Sequence, residues 1–154
     1  MKIVGAIANA PVMTEQEVDK FLESKLNLQL ATIDEMDDPN IQPIWFYYVK
    51  SERKFLIVTP KMSKKVQNIR RKSTVYFSID DENFPYKGVK GKGVVIIVDD
   101  PKTVIQAVEK INLKYLGSLD HPLAKMLIDN AKNGTEIMVE INPKFFSTWD
   151  FGKM

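Results

Sequence analysis

Residues 55–79 read FLIVTPKMSKKVQNIRRKSTVYFSI, and this stretch decides the fold. The opening FLIVT is apolar and β-branched, which suits a strand. PKMSKK breaks the run. A one-to-two-turn amphipathic segment, VQNIRRK, follows, and TVYFSI is a second strand-like run. Two hydroxyls, Thr59 and Ser63, and three amines, Lys61, Lys64 and Lys65, therefore collect where a strand hands over to a helix. Helix N-termini present unsatisfied N–H groups and a partial positive charge, which suits a phosphate. Residues 61–72 hold six basic side chains and no acid, whereas the whole chain carries a net charge of only +2. The pattern describes a local anion site rather than a generally basic protein.

The surrounding chain is consistent with one domain spanning 1–154, long enough to bury a core. Hydrophobic residues make up 44% and charged residues 27%, the balance of a globular chain rather than a disordered or membrane-spanning one. No apolar run approaches the roughly 20 residues that a spanning helix needs, so no membrane partner is expected. MKIVGAIANAPV at the start has one Lys and a short apolar run, and reads as a first strand or an arm rather than a leader. The absence of Cys excludes disulfides, thiolate nucleophiles and cysteine metal sites, and fits a reducing cytoplasm. A single His argues against a His-based metal site or catalytic triad. No metal is expected.

Along the chain, Thr14–Glu17 forms a T-x-x-E capping box, with Met13 and Val18 placed for a hydrophobic staple. Val18, Phe21 and Leu22 continue one helix face. Alternation over Leu26–Ile33 predicts a strand, and DEMDDPN supplies turn chemistry through Asp38, Pro39 and Asn40. Ile44–Val49, Lys54–Thr59 and Thr74–Ile79 are three more strands. Asp81–Tyr86 is a polar loop. Gly88, Gly91 and Gly93 break up the approach to VVIIV at 94–98, as bulged or bent barrel strands do. Asp100 and Pro101 start a helix that Gly117 ends, and a second helix runs from Pro122 to Gly134. Glu136–Ile141 is the last clear strand, followed by the aromatic-rich KFFSTWDFGKM. Short strands without βαβ alternation predict an antiparallel barrel with helical additions.

Trp45–Tyr48 places four aromatics in a row. Core packing is the usual fate of strand aromatics. Alternation, however, points them to both faces, so one pair needs a second partner: a ligand ring or another subunit. Trp149 and Phe151 are likewise too apolar for a free tail. The basic stretch beside these aromatics could also serve nucleic acid, but no recognition signature accompanies it, and no such partner is expected. His121 precedes Pro122 at a helix start and reads as structural. The acidic groups 34–38 and 80–82 sit in turns and read as solvated. The Gly88–Gly93 spacing does not open a helix, so it is not a dinucleotide fingerprint.

The order of these pieces, from LATID through PIWFYY and FLIVT to KMSKKVQNIRRKSTVYFSI, resembles the pyridoxamine 5′-phosphate oxidase-related flavin-binding split-barrel family. The resemblance covers about Thr14 to Lys153, and its most specific part is Pro43–Val75. It implies a mainly β fold, a six-to-seven-stranded antiparallel split barrel with peripheral helices. It also implies a homodimer with flavin mononucleotide (FMN) at the subunit interface. By resemblance, Thr59, Ser63, Lys64 and Lys65, with Lys61, would hold the phosphate. Ile44, Trp45 and Phe46 would lie along the ring system, partly through backbone groups. Asn68 would orient the turn, and Trp149 would approach the cofactor, often from the other chain. The function implied is an FMN-dependent oxidoreductase acting on a small molecule. A deazaflavin-dependent reductase and a non-catalytic flavin- or haem-binding protein are the alternatives. Pyridoxamine-phosphate oxidases proper carry Arg and His near the C-terminus. This chain ends STWDFGKM, so oxidation of pyridoxamine phosphate itself is not expected.

Overall fold

The computed structural model describes Met1–Met154. Nine strands and four α-helices follow one another: β1 Ile3–Gly5, α1 Glu15–Phe21, β2 Leu28–Ile33, β3 Pro39–Ile44, β4 Tyr47–Val49, β5 Lys54–Pro60, α2 Lys64–Arg71, β6 Thr74–Asp81, β7 Lys87–Val98, α3 Pro101–Leu116, α4 Pro122–Lys132, β8 Glu136–Pro143 and β9 Phe146–Asp150. A 3₁₀ turn, Phe151–Lys153, closes the chain. The strands pair in the order β3-β2-β6-β7-β8-β5-β4, with β9 added to β7 and β1 to β9. All pairings are antiparallel except β1 with β9. This is the expected split barrel, with more strands than expected because β1, β4 and β9 each add a short one.

The split occurs on β7. One edge pairs with β6 over residues 87–94. The other edge pairs first with β9, over 87–90, and then with β8, over 93–98. Between those two partners the chain bends through Lys144 and Phe145, and Lys144 N–H donates to the Lys92 carbonyl at 2.7 Å. Gly91 lies under this crossing. A Cβ there would stand 2.3 Å from the Phe145 carbonyl oxygen and 2.8 Å from the Phe77 ring. The glycines thus sit inside one continuous twelve-residue strand rather than delaying its start. They make room for a backbone crossing.

Barrel-facing residues are those that alternation predicts. Leu28, Leu30, Phe55, Ile57, Ile79, Ile137, Val139 and Ile141 are fully buried. Phe55 is the hub, with ring centroids of Phe46, Tyr48, Phe77 and Phe146 within 4.9–6.2 Å. The opposite face of β5 and β8 presents Leu56 and Met138 to Val104, Ala107 and Val108 of α3 and Ala131 of α4. The helices form a second apolar layer outside the sheet. No helix is long and apolar enough to cross a membrane.

The local signals are realised in detail. Thr14 Oγ1 accepts from Glu17 N–H while Glu17 accepts from Thr14 N–H, completing the capping box. Asp100 caps α3 by accepting from Thr103 N–H. His121 caps α4, its Nδ1 accepting from Leu123 N–H at 3.1 Å, which is the structural role expected of it. Two boundaries differ. The β2–β3 turn is held by Asp34, whose Oδ1 accepts from Met36 and Asp38 N–H, so Pro39 and Asn40 already belong to β3. The run Ile44–Val49 is not one strand: it breaks at Trp45–Phe46, for a reason given below.

Candidate functional site

The turn after β5 is built by its own residues. Thr59 points inward with Phe55 and Ile57 and is 1% exposed. Pro60 ends the strand, and its carbonyl accepts from Ser63 N–H at 3.0 Å. Lys61 N–H donates to the Thr135 carbonyl at 2.9 Å, which fastens the turn to the loop before β8. Ser63 is the N-cap of α2 in extended geometry, but its hydroxyl makes no capping bond. That Oγ is buried and has no hydrogen-bond partner. The backbone N–H groups of Lys64, Lys65 and Val66 find no acceptor in the chain either. The first turn of α2 carries two lysines and no acid, the reverse of what a helix dipole favours. A local rule broken in this way marks a site rather than a stabilising feature.

Lys65 is the centre of the turn. It is 8% exposed, and its Nζ donates to Thr59 Oγ1 at 2.7 Å. An ammonium has three hydrogens to donate. No other acceptor and no carboxylate lies within bonding or ion-pair distance of it. Burial pushes the Lys65 amine below its ordinary value, and the Glu136 carboxylate acts weakly the other way. Glu136 begins β8 directly opposite Pro60, is itself buried, and is pushed up by that burial against the pull of Lys65. Asn68, one turn further on, is buried and donates to Thr32 Oγ1 of β2 at 3.0 Å, so it anchors α2 to the sheet. Lys61 and Lys64 are exposed at the rim, and Lys64 is paired with Glu35. Thr59 and Lys65 are therefore joined at the turn and Ser63 caps the same helix, while Lys61 and Lys64 lie exposed beside them.

The segment expected along the ring is held by α3. Lys114 Nζ donates to the Phe46 carbonyl at 2.9 Å and stands 3.5 Å from the Phe46 ring centroid. Tyr115 Oη accepts from Phe46 N–H at 3.3 Å and donates to the Leu26 carbonyl at 2.7 Å. The Tyr115 ring stacks on Trp45 at 4.6 Å and 2°. Both main-chain groups of Phe46 are thus taken by side chains, which is why β3 and β4 are separate strands. The Phe46 side chain is fully buried and Ile44 packs on the barrel core. Of the three, Trp45 keeps a half-buried indole, and it borders a small cavity together with Glu136. Thr32, Lys114, Tyr115 and Glu136 were not singled out from the sequence. Each is remote in sequence from the residue it serves, and no local pattern announces such pairings.

Burial lowers the Lys114 amine to about 8 from its unfolded value of 10.5. The folded state therefore loses this proton first, and unfolding takes one up. Stability gains from raising the pH between about 8 and 10 should amount to about 1–2 kcal/mol from this residue. Above that window the Tyr115 phenol, raised to about 12 by burial, reverses the trend. Urea unfolding across about pH 7–10 should show the rise in the native protein and a flatter line in Lys114→Met.

Trp149 lies elsewhere. It pairs with Gly88 at the start of β7, whereas Val98 at the end of β7 pairs with Met138 beside the turn. Ten residues of strand, about 33 Å, separate the two ends. Within one chain Trp149 and the turn between β5 and α2 are at opposite ends of the barrel. Its indole lies on Gly88, where a Cβ would come within 2.3 Å of the ring. Gly88→Ala should therefore displace the indole, shift tryptophan emission to the red and cost about 1–3 kcal/mol in denaturant unfolding.

This architecture agrees with known proteins. A family model described as pyridoxamine 5′-phosphate oxidase matches residues 14–147. The chain belongs to the pyridoxamine 5′-phosphate oxidase family. Among solved structures of like fold, a conserved hypothetical protein from Mycobacterium tuberculosis superposes with a TM-score of 0.80 at 24% identity, over 96% of this chain and 90% of that one. An F420 reductase matches at 0.67 and 26% identity, over 84% and 94%. An FAD-binding protein from Mesorhizobium loti matches at 0.66 and 17% identity, over 91% and 96%. No curated protein matches the chain in sequence. The family match spans both the turn after β5 and the Trp45–Phe46 break.

Proposed function

We propose that this member of the pyridoxamine 5′-phosphate oxidase family is a homodimeric flavoprotein that holds FMN by its phosphate and acts on a small molecule. Lys65 carries the reading. A buried ammonium with a single neutral hydroxyl partner is unfavourable on its own, and it becomes favourable when an anion arrives. The unpartnered Ser63 hydroxyl and the three free N–H groups of α2 face the same need. Together they offer a phosphate a cation, a hydroxyl and a helix N-terminus. Thr59 keeps the Lys65 amine in place, and Asn68 keeps the helix in place through Thr32. Trp45, backed by Tyr115, offers a flat apolar wall for a ring system.

When bound, FMN supplies the hydride- and electron-transfer chemistry, and the protein's part is to bind, orient and shield. A deazaflavin coenzyme is the second reading. The likeness to the F420 reductase favours it, and the same phosphate cradle would serve.

Titration with FMN, riboflavin and a deazaflavin coenzyme, followed by visible absorption, tests both readings. FMN should bind at least about a hundredfold more tightly than riboflavin, because riboflavin forfeits the charge-assisted bonds of the phosphate. Equal affinity for the two would sink the phosphate cradle. A preference for the deazaflavin over FMN would transfer the site to that coenzyme. Sedimentation at micromolar concentration should give a dimer; a monomer would refute the interface.

A further inference from the structure

A cavity of about 60 Å³ lies between the outer face of the sheet and the helical layer. That is about the room of two water molecules. Val58 of β5, Val108 and Ile111 of α3 and Leu127 of α4 make most of it apolar, and Trp45 closes one side. Its polar groups are Asn112 and Glu136. Asn112 has no exposed surface. Its Nδ2 is spent on the Ala124 carbonyl at 3.4 Å, and its Oδ1 has no partner. Glu136 is 7% exposed, no hydrogen bond within the chain reaches its carboxyl group, and its oxygens keep a little contact with solvent. Both groups accept, and nothing in the cavity donates to them.

We infer that this cavity is a subsite for the ammonium head of a small alkylamine. An ammonium brings several donors, one for Asn112 Oδ1 and one or more for Glu136, together with the countercharge that no side chain in the cavity gives the Glu136 carboxylate. The aromatic wall at Trp45 also attracts cations. An anion of the same size is repelled by Glu136. A neutral hydroxyl donates once and leaves one acceptor unpaired. The volume restricts the enclosed part to the ammonium and the carbon next to it.

The neighbouring turn strengthens the inference, and this step rests on the function proposed above. Glu136 faces Lys65 as its charged neighbour. A phosphate held by Lys65 takes that cation's charge for itself, and Glu136 then gains more from a second cation on its cavity side. Amine binding should therefore tighten when FMN is present.

The first test uses neither flavin nor phosphate. The chain has two tryptophans, so Trp149→Phe leaves Trp45 as the sole indole reporter. Methylammonium, methanol and formate are titrated at equal ionic strength against Trp45 emission. Methylammonium should saturate the signal, methanol should bind about tenfold more weakly or worse, and formate should have no saturable effect. Glu136→Gln should weaken methylammonium by about tenfold or more while thermal unfolding stays cooperative. Asn112→Leu, which fills the space with an apolar side chain, should abolish the response. Equal binding of the three probes, an unchanged response in Glu136→Gln, or no saturable response at all would overturn the subsite and leave water as its occupant. Because no flavin is added, that failure would leave the FMN reading intact, and a protein that ignores FMN could still bind the amine.

Discussion

A Lys65→Met protein is expected to lose FMN binding by a factor of about a hundred or more while unfolding at the same or a higher denaturant concentration than the native apo-protein. The two halves of this result have one cause. In the apo-protein the Lys65 ammonium is buried against a single hydroxyl, so it lacks the acceptors that water would provide. Met occupies a similar volume without charge and removes that desolvation. Thr59 loses its donor, a smaller loss in a site where its hydroxyl keeps the freedom to turn. With phosphate present the balance inverts. The charge-assisted bonds from Lys65 are made in a desolvated place, where each is worth about 1.5–3 kcal/mol. The pH dependence follows the same logic. The folded amine sits below its unfolded value, so unfolding takes up a proton as pH rises past the folded value, and apo stability rises with it. Lys64→Met makes the contrast: Lys64 is exposed and paired with Glu35, so its loss should weaken FMN only severalfold and more visibly at low salt. Equal effects from the two substitutions would remove Lys65 from its central place.

The largest stability loss is expected from Phe55→Ala, at about 3–5 kcal/mol. Phe55 is fully buried and its ring meets four others. Those four come from the β3–β4 break, β4, β6 and β9, so the cavity left behind is walled by elements that different ladders hold apart. Such a site cannot collapse cheaply. For a chain of this length the loss corresponds to a fall in Tm of roughly 10 °C. Denaturant and thermal unfolding should agree. A loss below about 1 kcal/mol would mean that the rings close over the gap, and that the barrel interior is less fixed than close packing requires.

Much of this architecture was legible in the residues because its causes are local. The capping box at Thr14, the Asp100–Pro101 start of α3 and the hydroxyl–lysine cluster after FLIVT each need only a few neighbouring positions. The long-range features were not legible for the same reason. Nothing near Phe46 reveals that Lys114 and Tyr115, an α3 pair, will occupy its backbone and divide one strand into two. Nothing near Gly91 reveals that the Lys144–Phe145 bend will cross it. The site divides similarly. Thr59 and Lys65 meet and Ser63 caps the same helix, because the strand–turn–helix geometry is local. Glu136 and Thr32 join through sheet register, and Trp149 is set at the far end of β7 by its pairing with Gly88. A role for Trp149 at the turn belongs to a second subunit, and so stands or falls with the dimer.

The pairing of β1 with β9 has a mechanical consequence. The first and last strands lie side by side and run in the same direction. A pull on the two ends of the chain must slide one strand along the other. The bonds Phe146 N–H to Lys2 carbonyl, at 2.9 Å, and Ala6 N–H to Thr148 carbonyl, at 3.0 Å, then carry the load together rather than in turn. Force applied between the termini should meet a single sharp yield point before the barrel opens. Force applied across the β2–β3 hairpin should instead unzip its ladder bond by bond at a lower load.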